Sequence, residues 1–107
     1  METTTRSEAG GGQPFRVGDW SADPSRDVLV RGDEQVKVEP RSMEVLIRLA
    51  RRSGAVVSQA ELEAEVWDGL VVTSQSVYQA IAQLRRVLGD NPRQPRYIET
   101  VPRRGYR

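Results

Sequence analysis

The sequence predicts a single α+β domain, and three observations predict it. Short β-prone runs begin at Phe15, three stretches with helical apolar spacing follow, and a strand–turn–strand pattern, YIETVPRRGYR, closes the chain. With 107 residues the chain has one domain's length and can bury roughly two-thirds of its unfolded surface in a modest core. It contains no Cys and no His, which excludes disulfides, Cys/His zinc sites, thiol nucleophiles and imidazole bases. No metal and no cofactor are therefore expected. No apolar run approaches the roughly 20 residues of a membrane span, and the amino terminus lacks a signal peptide's apolar core. The expectation is a soluble, cytoplasmic domain.

Met1 to Pro14, METTTRSEAGGGQP, lacks apolar anchors and reads as a disordered tail ahead of a domain over 15–107. FRVGDW, VLVRG and QVKVEP then read as strands of an antiparallel sheet with three or four members. Val28 with Val30, and Val36 with Val38, alternate so that each run should bury one face, and Gly32-Asp33 supplies the tight turn between them. Pro40 suits the first position of a helix whose stripe is Met43, Leu46, Ile47 and Ala50, with Val45 and Leu49 beside it. Gly54 can close that helix, and Arg48, Arg51 and Arg52 near its carboxyl end are explained by the helix dipole.

Ala55 to Val57 reads as a brief extended link. Ser58-Gln59-Ala60-Glu61 then forms a capping box with Val57 and Leu62 as a hydrophobic staple, opening a short helix that runs to Val66 or Trp67. Leu62, Val66 and Trp67 face inward, while Glu61, Glu63 and Glu65 on its outer side would repel a phosphate backbone lying close by. This helix supports and does not read.

After Asp68 to Val72, DGLVV, comes TSQSVYQAIAQLRRVLG, residues 73–89, with Thr73 or Ser74 as cap. Val77, Ile81, Leu84 and Leu88 form one narrow apolar stripe at about 100° per residue. Opposite lie Gln75, Gln79, Ala82, Gln83 and Arg86, flanked by Ser76, Tyr78 and Arg85. That face carries no carboxylate. Amides, a methyl group and guanidinium groups suit a B-DNA major groove, in which Gln bridges adenine N6 and N7, Arg takes guanine or phosphate, and Ala touches a thymine methyl. On residues alone, a polar helix that happens to lack acids is equally open.

Charge sharpens the choice. Residues 1–72 hold 9 basic and 13 acidic side chains, whereas 73–107 hold 7, all Arg, against Asp90 and Glu99. Such asymmetry points to a polyanionic partner, and Arg is the better cation for planar phosphate recognition. Two short helices, the second bearing the polar and basic face, have the organisation of a helix-turn-helix, and the longer linker favours a winged variant. Asp90-Asn91-Pro92 and Gln94-Pro95 stop the helix and turn the chain. Tyr97 to Val101 then forms a strand, and Pro102-Arg103-Arg104-Gly105 turns it into a second strand that has only begun at Tyr106-Arg107. A tip of two arginines suits a phosphate backbone or a narrow minor groove better than a core, with a solvated turn as the alternative.

VVSQAELEAEVW, VYQAIAQLRRVLGD and especially YIETVPRRGYR resemble the winged-helix effector domain of the OmpR/PhoB type, in particular its CadC/ToxR-like branch, over about residues 15–107. The resemblance implies a four-stranded amino-terminal sheet, three helices, a carboxy-terminal hairpin wing, and sequence-specific binding to double-stranded promoter DNA in transcription regulation. By position it places residues 73–89 in the major groove. Gln79 and Gln83 then meet base edges, Ser76 and Arg85 lie nearer phosphates, and Arg103 and Arg104 form the wing tip. Helical angle adds Gln75, Tyr78 and Ala82 to the base-facing set, and Thr73, Ser74 and Arg86 to the backbone-facing set. Asp68, Gly69 and Leu70 correspond to a loop that can face RNA polymerase in relatives.

Two departures from the family pattern matter. Glu39 replaces the usual Thr or Ser before the first-helix proline, so that cap is weak. Gln79, Ala82 and Gln83 stand where many relatives carry Arg, which points to A·T content in the target. Relatives commonly pair as tandem copies on DNA, and in the CadC/ToxR-like branch a linker and membrane span commonly follow. We therefore expect an excised DNA-binding domain whose membrane attachment, if it has one, lies in a missing carboxy-terminal segment, with no small-molecule ligand in the domain itself. The alternative function, a winged helix that binds protein, needs an exposed apolar patch. The outer face of 73–89 offers only Tyr78 and Ala82 for one. An enzyme is least expected, since no nucleophile, base and metal set converges.

Overall fold

The computed structural model describes residues 13–68, 72–91, 93–101 and 104–107. Most of the expected tail, with Gly69, Leu70 and Arg103, lies outside the described residues, as does the side chain of Ser74. Four strands, β1 (Phe15–Val17), β2 (Trp20–Asp23), β3 (Val28–Arg31) and β4 (Glu34–Lys37), form one antiparallel sheet in sequence order. Three helices follow, α1 (Pro40–Arg51), α2 (Gln59–Val66) and α3 (Ser74–Leu88), and then the hairpin of β5 (Thr100–Val101) and β6 (Gly105–Tyr106).

FRVGDW is two strands. Val17 pairs with Trp20 across Gly18-Asp19, as Arg31 pairs with Glu34 across Gly32-Asp33. Both glycines sit near φ 58–59°, the left-handed geometry that a glycine-first two-residue hairpin turn requires. Register then decides the buried face, because cross-strand partners share one. Phe15 opposes Ala22, Ala22 opposes Leu29, and Leu29 opposes Val36. The core face is therefore Trp20, Ala22, Leu29, Val36 and Val38. Val30 and Val28 lie on the other side of β3; Val28 is buried there as expected, whereas Val30 is only half-buried and Leu29 takes the place facing the main cluster.

α1 buries Ser42, Met43, Val45, Leu46 and Leu49, while Ile47 is half-buried and Ala50 exposed. Its stripe is thus rotated from the expected one. The helix ends at Arg51, and Gly54 serves a following turn, at φ 86° with Ala55 N–H donating to Arg52 O at 2.8 Å. α2 begins with the expected capping box: Glu61 N–H donates to Ser58 Oγ at 3.0 Å and Ser58 N–H to Glu61 Oε1 at 2.9 Å. All three helices, the sheet and Ile98 share one core cluster. Among the described residues no helix is long and apolar enough to cross a membrane.

Candidate nucleic-acid interface

α3 is fixed at both ends by its own sequence. Thr73 is the N-cap: its Oγ1 accepts from Ser76 N–H at 3.3 Å, and Ser76 Oγ accepts from Thr73 N–H at 3.4 Å. At the other end Gly89 turns left-handed at φ 75°, which lets Asp90 N–H reach Arg85 O at 2.8 Å and Gly89 N–H reach Arg86 O at 3.4 Å. These are the paired bonds of a Schellman stop. Between the caps Val77, Ile81, Leu84 and Leu88 are buried, joined by Ala80. The helix packs against both α1 and α2.

The opposite face divides into exposed and engaged groups. Gln75, Tyr78, Gln79 and Arg86 are exposed, Tyr78 at 58%. Ala82 and Gln83 are half-buried, and Gln83 Oε1 accepts from the Glu39 amide at 3.1 Å. Glu39 is the N-cap of α1 and its own side chain makes no capping bond. Gln83 therefore braces α3 against the start of α1, and its Nε2 is the group left to donate outward. Ser76 and Thr73 carry hydroxyls committed to the cap as acceptors, each still able to donate.

Arg85 is corrected by the structure. The residue is only 9% exposed, and its guanidinium donates to Ile98 O at 2.9 Å and Thr100 Oγ1 at 2.8 Å. It lies inward, toward the lead-in to β5, and not on the outer face with Arg86. The 100° step between consecutive helical residues produces that separation.

The hairpin is held from three directions. Thr100 pairs with Tyr106 and Val101 with Gly105. Tyr106 also forms an isolated antiparallel bridge with Val57, with bonds of 2.7 and 2.9 Å, which ties the link before α2 to this two-stranded hairpin. Gly105, at φ 143°, lies so close to Val57 that a side-chain carbon would collide with the Val57 carbonyl oxygen. Glu99 and Arg107 exchange both backbone bonds, at 2.8 and 2.9 Å, and their side chains pair at 2.9 Å. Arg104 N–H closes the turn onto Val101 O at 3.0 Å, and its side chain is exposed. Backbone pairing thus begins at Glu99 and β5 itself at Thr100, not at Tyr97 as expected.

Sequence reasoning missed Asp90 as a structural acceptor. The residue is buried, at 9% exposure, and its carboxylate accepts from the backbone N–H of Arg96 at 2.7 Å, Ile98 at 2.9 Å and Tyr97 at 3.4 Å. An Asp immediately after a glycine helix stop and before a proline-bounded turn was the available signal, since such residues bind nearby backbone N–H groups. Asp68 is exposed at the start of the loop after α2.

Residues 33–107 match the family described as Transcriptional regulatory protein, C terminal. The chain belongs to this family. It is the OmpR/PhoB-type winged-helix family, a family of transcription-regulator domains and not of enzymes. The chain is 43% identical over 93 residues to the transcriptional activator CadC of Escherichia coli K12, covering 86% of this chain and 18% of CadC. It is also similar to the solved DNA-binding domain of E. coli CadC, with a TM-score of 0.79 and 41% identity over 90% of this chain and 92% of that domain. The Klebsiella pneumoniae RstA DNA-binding domain, solved in complex with the RstA box, matches with a TM-score of 0.73 and 28% identity over 88% and 94% of the two chains. Among the curated relatives the chain spans 18% of CadC and 30% of the cholera toxin transcriptional activator of Vibrio cholerae. As a member of this OmpR/PhoB-type family, the domain has the four-stranded sheet, three helices and terminal hairpin that the resemblance implied.

Proposed function

We propose that this domain binds double-stranded promoter DNA sequence-specifically, as the DNA-reading part of a transcriptional regulator. The observation that carries the proposal is the outer face of α3. It is exposed, has no carboxylate, and presents Gln75, Tyr78, Gln79 and Arg86 on a helix locked at both ends. In a major groove, exposed Gln79 can donate and accept at adenine, while Ala82 and Tyr78 offer apolar surface to thymine methyls. Gln83 keeps its amide nitrogen for donation. Arg86 and the hydroxyls of Thr73, Ser74 and Ser76 take phosphates, and Arg104 with Arg103 takes the backbone or the minor groove beside the hairpin.

We assign contact with RNA polymerase to Asp68 and to Gly69 and Leu70, which follow it in the sequence. We assign pairing to two copies bound on DNA, and membrane attachment to parts of a longer protein. The similarity to proteins named as transcriptional activators supports the first of these assignments, and the family resemblance alone motivates the other two.

Selection from a random duplex pool at about physiological salt, where non-specific electrostatic binding is weak, tests the main proposal. Enrichment of a short motif is expected. A pool that stays flat through successive rounds would overturn base readout by this domain.

A further inference from the structure

The recognition helix and the hairpin are joined by more than the connecting chain. Ile98, immediately before β5, has its backbone N–H bonded to the Asp90 carboxylate at 2.9 Å and its carbonyl bonded to the Arg85 guanidinium at 2.9 Å. Both polar groups of one peptide residue are thus taken by side chains from the end of α3, and the Ile98 side chain is itself buried. Arg85 reaches on to Thr100 Oγ1, inside β5, and Asp90 holds Arg96 and Tyr97 on the other side. Arg85 and Asp90 are tied to each other by the Asp90 N–H bond to Arg85 O that ends the helix.

Taking a guanidinium and a carboxylate out of water is expensive, and an apolar pair of similar volume would often serve stability as well. Charged groups with fixed hydrogen-bond directions supply what apolar groups cannot: they set the lead-in strand at one position and one rotation. The strand they set runs directly into Val101 and the turn at Arg104.

We propose that Arg85 and Asp90 are positioning residues that fix the register between the major-groove face of α3 and the hairpin cations, so that the two act as one reading unit. The proposal rests on the DNA-binding reading above. Arg85 touches no phosphate and acts through Thr100 and Ile98, whereas its neighbour Arg86 acts on DNA directly.

The test uses the full chain and the motif recovered by selection, with affinity followed against salt concentration. Arg104→Ala is expected to lower the slope of log K against log salt by about one phosphate's worth. Arg85→Met is expected to weaken motif binding about tenfold or more while leaving that slope unchanged. In the double variant Arg85→Met/Arg104→Ala the two losses are expected to be non-additive by about threefold or more, because a mispositioned hairpin has less left to lose. A slope reduced in Arg85→Met as in Arg104→Ala would make Arg85 a phosphate contact and overturn the proposal, as would additive losses.

Should Arg85→Met fail to fold, Thr100→Val removes one acceptor without changing charge and is expected to show the same coupling with Arg104→Ala; additivity there overturns the proposal equally. If the wild-type chain selects no motif, the DNA-binding reading fails, and amide hydrogen exchange addresses the clamp by itself. Faster exchange at Glu99 and Arg107 in Thr100→Val would support the clamp, and unchanged exchange would remove it.

Discussion

α2 and α3 are neighbours in sequence and packing, and they handle charge in opposite ways. α2 carries Glu61, Glu63 and Glu65, and two of these are matched from the end of α1: Arg52, its C-cap, lies 3.3 Å from Glu61 and 2.6 Å from Glu65, with Arg48 3.8 Å from Glu65. Glu63 accepts from Gln59 one turn earlier at 3.1 Å. α3 has no acid, turns Arg85 inward onto backbone and hydroxyl acceptors, and leaves Arg86 exposed. What a charged residue offers a partner therefore depends on what its own chain has already placed against it. The arginines ending α1 answer acids on α2, beyond any service to the helix dipole.

The strongest way to break this contrast is to give α3 an acid. Gln79→Glu places a carboxylate on the face assigned to DNA, and like charges brought together at an interface cost several kcal/mol. Motif affinity in an anisotropy titration is expected to fall about 100-fold or more, whereas Glu63→Gln on α2 should leave it within about twofold. Truncation is the milder probe. Gln79→Ala is expected to cost about 1 to 3 kcal/mol in binding and to relax preference at one base position, with thermal stability little changed.

On the α2 side the expected effects are on folding and not on binding. Ser58→Ala removes the hydroxyl that caps α2 and should lower stability by about 1 kcal/mol in urea denaturation, with motif affinity unchanged once the folded fraction is corrected. The smallest effect concerns pH. Hydrogen bonds from the Ser58 backbone and side chain, with the nearby Arg52 charge, hold the Glu61 carboxyl below the usual carboxylate range. Hydrogen bonding to Glu65 and its charge raise Arg52 above its ordinary value. A lowered carboxylate stabilises the fold above its unfolded pKa and loses that contribution as pH falls through the folded value. Glu61→Gln should therefore differ from wild type in urea midpoint at neutral pH, and the difference should fade in acid.

Much of this was legible in the sequence, because the elements that carry it are local. The stripe Val77, Ile81, Leu84 and Leu88 and the Ser58 capping box are each read within one or two helical turns, and the structure has both. What failed depended on distant partners. VLV offers apolar residues on both strand faces, so only the pairing of Leu29 with Ala22 and Val36 decides which face is buried. Arg85 and Arg86 are chemically alike, and Arg85 is distinguished by acceptors 13 and 15 residues away. Gln83 is likewise engaged by an amide 44 residues earlier, and Val57 by a strand at the far end of the chain. Helical angle gives direction, and contacts across the fold decide which groups remain available.

Parallel selections from the same random duplex pool with wild type, Gln79→Ala and Arg104→Ala separate base reading by α3 from backbone contact by the hairpin. One motif is expected for wild type, the same motif with one relaxed position for Gln79→Ala, and the unchanged motif at reduced affinity and shallower salt dependence for Arg104→Ala. Identical motifs for wild type and Gln79→Ala, with losses equal on specific and random duplexes, would contradict base reading by α3.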